Sequence, residues 1–196
     1  MVKDNKQMVE LLTEMMPKMV ETLTEMVPKI GNNNTTNSNN KFNLNVFLNE
    51  KCADAMSMDT FLQGMTVSLD NLMITKDKGF AEGIASIFVD NINKLDIHER
   101  PIHCSDLKRD TIYIKNDEKW EKDEGNKNFG KAIGTISYRQ VKSIGSWTDE
   151  YPDYEKSSSK TDVYIHLVRN CTQCPAENEQ KIMRNVSKDI LMPKAH

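Results

Sequence analysis

Apolar side chains recur at helical spacing through residues 1–30. Seven of them are separated by 4, 3, 4, 4, 3 and 4 residues: Met8, Leu12, Met15, Met19, Leu23, Met26 and Ile30. This spacing predicts an amphipathic helix with a single apolar face. The stripe belongs to an eleven-residue repeat, in which LTEMMPKMVET is followed by LTEMVPKI, and that period favours straight or slightly right-handed helix packing.

Two prolines, Pro17 and Pro28, interrupt this predicted helical arm. A proline inside a helix removes a hydrogen bond and costs about 3 kcal/mol, so the arm is expected to kink at Pro17 and to end near Pro28. Helical pieces of about 11 residues are not stable alone in water, so the apolar stripe needs a packing partner. We predict self-association of the arm; docking on the chain's own body and a frayed arm are the alternatives.

The next segment, residues 31–41, has no apolar pattern. It begins with Gly31 and continues as NNNTTNSNN, which cannot build a core. This composition predicts a flexible linker after the end of a helix. The organisation that we expect is therefore an oligomerising arm over 1–30, an asparagine-rich linker over 31–41 and a globular body over 42–196.

Within the body, the spacing of apolar residues predicts a mainly helical, α+β fold. Three helices are expected first, over Asn45–Met56, Met58–Met73 and roughly Asp77–Leu95. Cys52 is expected to be a small core residue, and Ser57 or Asp59 to cap the second helix. The β-branched and aromatic run TIYI, followed by an Asn-Asp turn, predicts a β-hairpin or three-stranded meander at about 102–123.

Helical spacing returns after Gly125 and continues to about Trp147. Residues 147–160 are expected to form a turn and a polar loop, whereas 162–170 fit a helix or a strand equally well. A last helix is predicted from Glu177 to Met192, ended by Pro193.

Several stretches of the body resemble a known family. FNLNVFLNEKCADAM, RPIHCSDLKRDTIYIKNDEKWEKD and DVYIHLVRN are similar to an uncharacterised family of large nucleocytoplasmic DNA viruses, and the second stretch is the most specific. The resemblance covers nearly the whole chain from the arm onward and implies viral origin. Family members often carry an N-terminal C2H2 zinc finger, which implies a nucleic-acid context, but no such finger precedes Met8. The resemblance also favours a helix over residues 162–170.

Overall charge and cysteine content narrow the classes of function. The chain has 196 residues, a net charge of −3 and four cysteines. Bulk charge therefore gives no support for non-specific nucleic-acid binding. There is no secretory signal pattern and no apolar run of about 20 residues, so we expect an intracellular protein with reduced thiols and no membrane contact.

A few residues could carry metal or thiol chemistry. Cys171 and Cys174 form a C-x-x-C pair, which with His103 and Cys104 would supply four zinc ligands. Adjacent side chains seldom reach one ion, so we predict no metal and keep this set as the alternative. A redox site would use the C-x-x-C pair before a helix, but such sites open a βαβ unit, which is not expected here.

Segment 125–147 is locally basic and rich in aromatic residues. Its cations are Lys127, Lys131, Arg139 and Lys142, and it contains no acidic residue. Cations interleaved with aromatic rings can hold phosphates and stack bases, although a solvated amphipathic helix has the same composition.

These features predict a non-enzymatic oligomeric viral module without a cofactor, located in the host cytoplasm or nucleus or in the virion. Its arm would join copies of the chain, and each body would bind nucleic acid or another viral protein. The alternatives are a structural virion component and a zinc-dependent or thiol enzyme.

Overall fold

The computed structural model describes residues 44–117 and 119–193, which form seven α-helices and one small sheet. The chain enters through a helical turn, α1 (Leu44–Val46), that continues as a π-helical segment (Phe47–Lys51). The remaining elements are α2 (Met58–Gly64), α3 (Leu69–Lys78), α4 (Phe80–Ile92), β1 (Ile102–Asp106), β2 (Thr111–Asn116), β3 (Lys119–Lys122), α5 (Lys127–Glu150), α6 (Ser158–Cys171) and α7 (Pro175–Val186). The predicted mainly helical α+β class is confirmed. The predicted arm and linker, residues 1–41, lie outside the described residues.

The sheet is an antiparallel meander in the order β1-β2-β3. In its register, Ile102 pairs with Ile114 and Tyr113 pairs with Lys122. As in any strand, successive side chains of β2 point to opposite sides of the sheet. The outer edge of β1 is covered, because the Cys104 N–H donates to the Ile190 carbonyl at 2.7 Å and the Met192 N–H to the Cys104 carbonyl at 2.9 Å. The predicted hairpin or meander is therefore a meander with one protected edge.

Three apolar clusters hold the described part of the chain together. The largest packs one face of the sheet against α2, α4, α7 and the N-terminal half of α5. A second lies on the opposite face of the sheet, under residues 44–55, and contains Phe47, Cys52 and Trp120. The third joins α3, the C-terminal half of α5 and α6 around Leu72, Trp147 and Leu167. Helix α5 therefore belongs to two of the three clusters.

The prediction of one helix over Met58–Met73 is wrong. Residues 65–67 leave the helix because the Asn91 side chain binds both backbone groups of Thr66, accepting from its N–H at 3.1 Å and donating to its carbonyl at 2.8 Å. Ser68 then starts α3 with a capping box shared with Asn71. The predicted cap Ser57 is confirmed, since its hydroxyl accepts from the Thr60 N–H at 3.2 Å.

Other predicted boundaries are also corrected. The first helix ends at Lys51 rather than at Met56. The Cys52 carbonyl accepts from the Ala55 N–H in a turn and from the Trp120 indole, and the Ala53 carbonyl accepts from Lys115. The third begins after Gly79, whose φ of 89° ends α3.

The predicted turn and polar loop at 147–160 is shorter than expected, because α5 extends to Glu150 and α6 begins at Ser158. Helix α5 continues to Glu150 because the Trp147 ring packs against Tyr151 and Tyr154. Ser157 caps α6, so residues 162–170 are helical. The last helix ends at Val186 instead of Met192, because residues 190–192 pair with β1.

Candidate functional site

The exposed face of α5 is set by where this helix begins. Asp123 lies buried before the helix, and its carboxylate accepts from the N–H groups of Asn128 and Phe129, each at 2.9 Å. Gly125 and Asn126 adopt positive φ values of 67° and 56°, which turn the chain from β3 into the helix. This anchoring directs Phe129 into the core and leaves the opposite side of α5 in solvent.

Between Lys127 and Lys142, five exposed side chains share that side of the helix: Lys127, Lys131, Thr135, Tyr138 and Lys142. We call them the α5 face. At 100° per residue they fall within an arc of about 80°, and they extend over about 22 Å of helix. Three of the four basic residues predicted for nucleic-acid binding therefore lie together in solvent.

Tyr138 lies within this strip of lysines and is 61% exposed, the largest exposure among the large hydrophobic residues that the structure describes. The Lys142 ammonium lies over its ring, with Nζ 4.7 Å from the ring centroid. A cation at this distance from an aromatic face is attracted by the ring quadrupole. The face therefore combines positive charge with an accessible aromatic ring.

Arg139 does not belong to the α5 face. Its side chain is only partly exposed, and its Nη1 donates to the Met65 carbonyl at 2.8 Å and to the Gln63 carbonyl at 3.3 Å. These carbonyls lie at the C-terminal end of α2, where no following helical turn supplies an N–H group for them. The guanidinium is thus engaged in joining α5 to α2 rather than held in solvent for a phosphate.

Acidic residues bound the α5 face. Lys131 lines a cavity of about 340 Å³ together with Asp59 and Asp117, beside the turn between β2 and β3. Asp149 is exposed about two turns beyond Lys142 on the same side of the helix. The positive surface is therefore a narrow strip and not a broad basic patch, in agreement with the net charge of −3.

A second group of polar residues is buried between the segment 44–55 and the sheet. Cys52 Sγ lies 3.6 Å from His103 Nε2, and neither residue is exposed to solvent. The Phe47 and Trp120 rings enclose the imidazole, with centroids 5.0 and 5.4 Å from it. This contact could not be predicted from local pattern, because the two residues are 51 positions apart.

The Cys52–His103 pair is held in its uncharged form. Burial lowers the pKa of His103 from 6.5 to about 4, with Arg100 and His98 acting in the same direction. Burial also raises the pKa of the Cys52 thiol to about 11, although Lys115 opposes the change. A nucleophilic cysteine needs a thiolate and access to substrate. This pair has neither, so its chemistry is that of a buried structural contact.

The four residues of the alternative zinc set are not brought together. His103 contacts Cys52, Cys104 belongs to the largest apolar cluster, and Cys171 belongs to the third cluster. Cys174 is exposed. Among the described residues there is no group of three or more histidine, cysteine, aspartate or glutamate side chains that could hold a metal ion.

The C-x-x-C segment also lacks the features of a redox site. Cys171 is buried at the end of α6, and burial raises the pKa of its thiol to about 12. Cys174 precedes α7 without capping it through its side chain. A reactive pair needs one cysteine that has both a lowered thiol pKa and an accessible sulfur. Cys171 instead has a raised thiol pKa and a buried sulfur.

The polar residues 106–110, which connect β1 to β2, form a local turn. Asp106 accepts from the N–H groups of Lys108 and Arg109, at 2.8 and 3.3 Å. Asp110 adopts a positive φ of 48° that reverses the chain. These carboxylates therefore organise the β1–β2 connection, as aspartates in turns usually do.

The oligomerisation residues predicted on the arm, Met8 to Ile30, lie outside the described residues. Within the described ranges, no helix is both long and apolar enough to cross a membrane. No protein-family model, curated protein or solved structure matches the chain.

Proposed function

We propose that this protein is a non-enzymatic, self-associating viral module whose body binds nucleic acid through the α5 face. The observation that carries the proposal is the exposed strip in which Lys127, Lys131 and Lys142 share one side of α5 with Tyr138. Lysines bind phosphates through charge, and an exposed ring offers a surface for a base.

The strip is too small for tight binding by a single copy. Three lysines make about three phosphate contacts, and each released counterion contributes only a part of the affinity. The arm predicted over residues 1–30 would join several bodies, and linked copies raise the effective affinity by about 10²- to 10⁴-fold when they engage the same ligand. Self-association and the α5 face are therefore complementary parts of the proposal.

Charge reversal on the α5 face tests the proposal. In a fluorescence-anisotropy titration of a labelled oligonucleotide, we expect Lys127→Glu, Lys131→Glu and Lys142→Glu together to abolish salt-dependent binding. The matched control reverses Lys119, Lys160 and Lys188, which are exposed outside α5 and give the same net charge. Equal weakening by both triple variants would show that overall charge, not the α5 face, is responsible.

A protein partner is the second candidate, and one feature favours it. An apolar groove of about 310 Å³ between α2 and the end of α4 is lined by Phe61, Met65 and Leu95, among others. A structural virion component would use such a groove for assembly. This candidate predicts stoichiometric amounts of the protein in purified virions and no loss of incorporation on reversal of the α5 lysines.

A further inference from the structure

We infer that the α5 face binds a single strand of nucleic acid in preference to a duplex, with an unpaired base stacked on Tyr138. The inference rests on the nucleic-acid binding proposed above and specifies its ligand. Three features of α5 support it: how the helix is embedded, how wide its basic strip is and what surrounds the Tyr138 ring.

Helix α5 is embedded in the fold along its length. It packs against α2, α3, α4, α6 and α7, and its buried side includes Phe129, Ile136 and Trp147. A helix that reads duplex DNA enters the major groove, which is about 12 Å wide and would have to enclose most of the helix surface. Only one side of α5 is available, so a strand can lie along it but a groove cannot surround it.

The basic strip is also one strand wide. Lys131 shares its cavity with Asp59 and Asp117, and these carboxylates lie beside the strip rather than within it. A duplex presents two phosphate backbones, so a duplex seated on the α5 face would bring its second backbone toward acidic side chains. Like charges at close range disfavour such a complex. A single strand has no second backbone to repel.

The helix surface one turn before Tyr138 is open. Helical side chains lean toward the N-terminus, so the ring extends over the preceding turn, where Gly134 has no side chain. A Cβ placed on Gly134 would meet no atom within 4 Å. One face of the ring is occupied by the Lys142 ammonium, 4.7 Å from the centroid. Because Tyr138 is nevertheless 61% exposed, we infer that its other face can accept a flat group.

An unpaired base fits this space because every base has a π face, whereas a paired base in a duplex is already stacked. Base–aromatic stacking therefore tolerates any sequence. Lys131, Lys127 and Lys142 would then contact phosphates on either side of the stacked nucleotide. The expected ligand is therefore a short stretch of single-stranded DNA or RNA of any sequence.

The test compares four ligands on the full-length protein at the same ionic strength: a single-stranded oligonucleotide, its RNA equivalent, the corresponding duplex and inorganic polyphosphate, which has no bases. We expect single strands to bind at least about tenfold more tightly than the duplex or polyphosphate. Tyr138→Ala should weaken single-strand binding by about 5- to 150-fold, the range that corresponds to one lost stacking contact. Tyr138→Phe, which keeps the ring, should bind like the unmodified protein.

Two further readouts separate stacking from charge. The slope of log affinity against log salt should be unchanged in Tyr138→Ala, because no phosphate contact is removed. Gly134→Leu should weaken single-strand binding, because its side chain would fill the space beside the ring. Equal affinities for single strand and duplex, or an unaltered affinity in Tyr138→Ala, would overturn this inference but leave the proposed function standing. Absence of binding to every nucleic acid at low salt would overturn both.

Discussion

At the scale of single residues, similar side chains have different roles according to their surroundings. Lys142 and Arg139 lie three positions apart on α5, yet the lysine faces solvent and the arginine binds the carbonyls at the end of α2. Likewise, Gly83 and Gly134 are both helical glycines, but only Gly83 lies against another helix. These contrasts allow charge, packing and backbone effects to be measured separately.

Arg139→Ala is expected to reduce stability rather than nucleic-acid binding. The change leaves the Gln63 and Met65 carbonyls without their charged donor, and a partly buried hydrogen bond to a charged group contributes about 1–3 kcal/mol. Urea denaturation should show this loss. A variant that unfolds as the unmodified protein does but no longer binds an oligonucleotide would instead place Arg139 in the binding site.

The same substitution at two glycines should have opposite effects. Gly134→Ala should stabilise the protein by about 0.5–1 kcal/mol, because the site is open and alanine favours a helix. Gly83→Ala should destabilise it by about 1–3 kcal/mol, since the new Cβ would lie 1.8 Å from Thr75 Oγ1. Thermal unfolding of both variants measures the two signs. A stable Gly83→Ala variant would mean that α3 and α4 are less closely packed than described.

His103 should make the protein less stable in mild acid. Its folded-state pKa of about 4 lies below the ordinary value of 6.5, so the unfolded chain takes up a proton first as the pH falls. The stability contributed by neutral His103 is therefore fully present above about pH 6.5 and is lost progressively as the pH falls toward 4. Below pH 4 this group causes no further loss of stability. NMR titration of the His103 ring should give a midpoint near 4. A midpoint near 6.5 would show that the ring is solvated.

At the scale of elements, the position of α5 depends on one buried carboxylate. Asp123 caps the helix through Asn128 and Phe129, and loss of a capping carboxylate costs about 0.5–2 kcal/mol. Asp123→Ala should therefore lower the urea midpoint, and it should also weaken oligonucleotide binding if the first turn, with Lys127, becomes less ordered. Asp123→Asn, which keeps one oxygen, should have a smaller effect. Equal stability of both variants and the unmodified protein would contradict this role of the cap.

Much of the element order could be predicted from local pattern. The run Thr111–Ile114 indicated the meander, and the basic residues after Gly125 indicated an exposed helical face. What could not be predicted depends on distant partners. Asn91 breaks the helix at Thr66 from 25 positions away, and His103 meets Cys52 from 51 positions away. Arg139 appeared equivalent to its neighbouring lysines because its acceptors lie 74 or more positions away.

At the scale of the whole molecule, the proposal joins two parts of the chain. The arm over residues 1–30 is predicted to collect copies, and the body is proposed to bind nucleic acid through the α5 face. Light scattering should therefore give a multiple of the 22.5 kDa chain mass for the full-length protein, and a smaller particle for a version starting at Lys41. A monomeric full-length protein would remove self-association from the proposal.

Avidity follows from the same organisation. If several bodies engage one strand, the full-length protein should bind a long single-stranded oligonucleotide far more tightly than a short one that reaches a single body. The version starting at Lys41 should bind both lengths with similar affinity. If the full-length protein and the version starting at Lys41 prefer the long oligonucleotide by the same factor in affinity, the arm does not contribute to binding.

Photo-crosslinking tests the central claim most directly, because it locates the nucleic acid on the chain. The full-length protein would be irradiated with a single-stranded oligonucleotide that contains bromodeoxyuridine, and the crosslinked peptides would be identified by mass spectrometry. The proposal predicts that the main crosslink lies at Tyr138 and disappears in the Lys127→Glu, Lys131→Glu, Lys142→Glu variant. Crosslinks confined to other elements, or none at low salt, would contradict it.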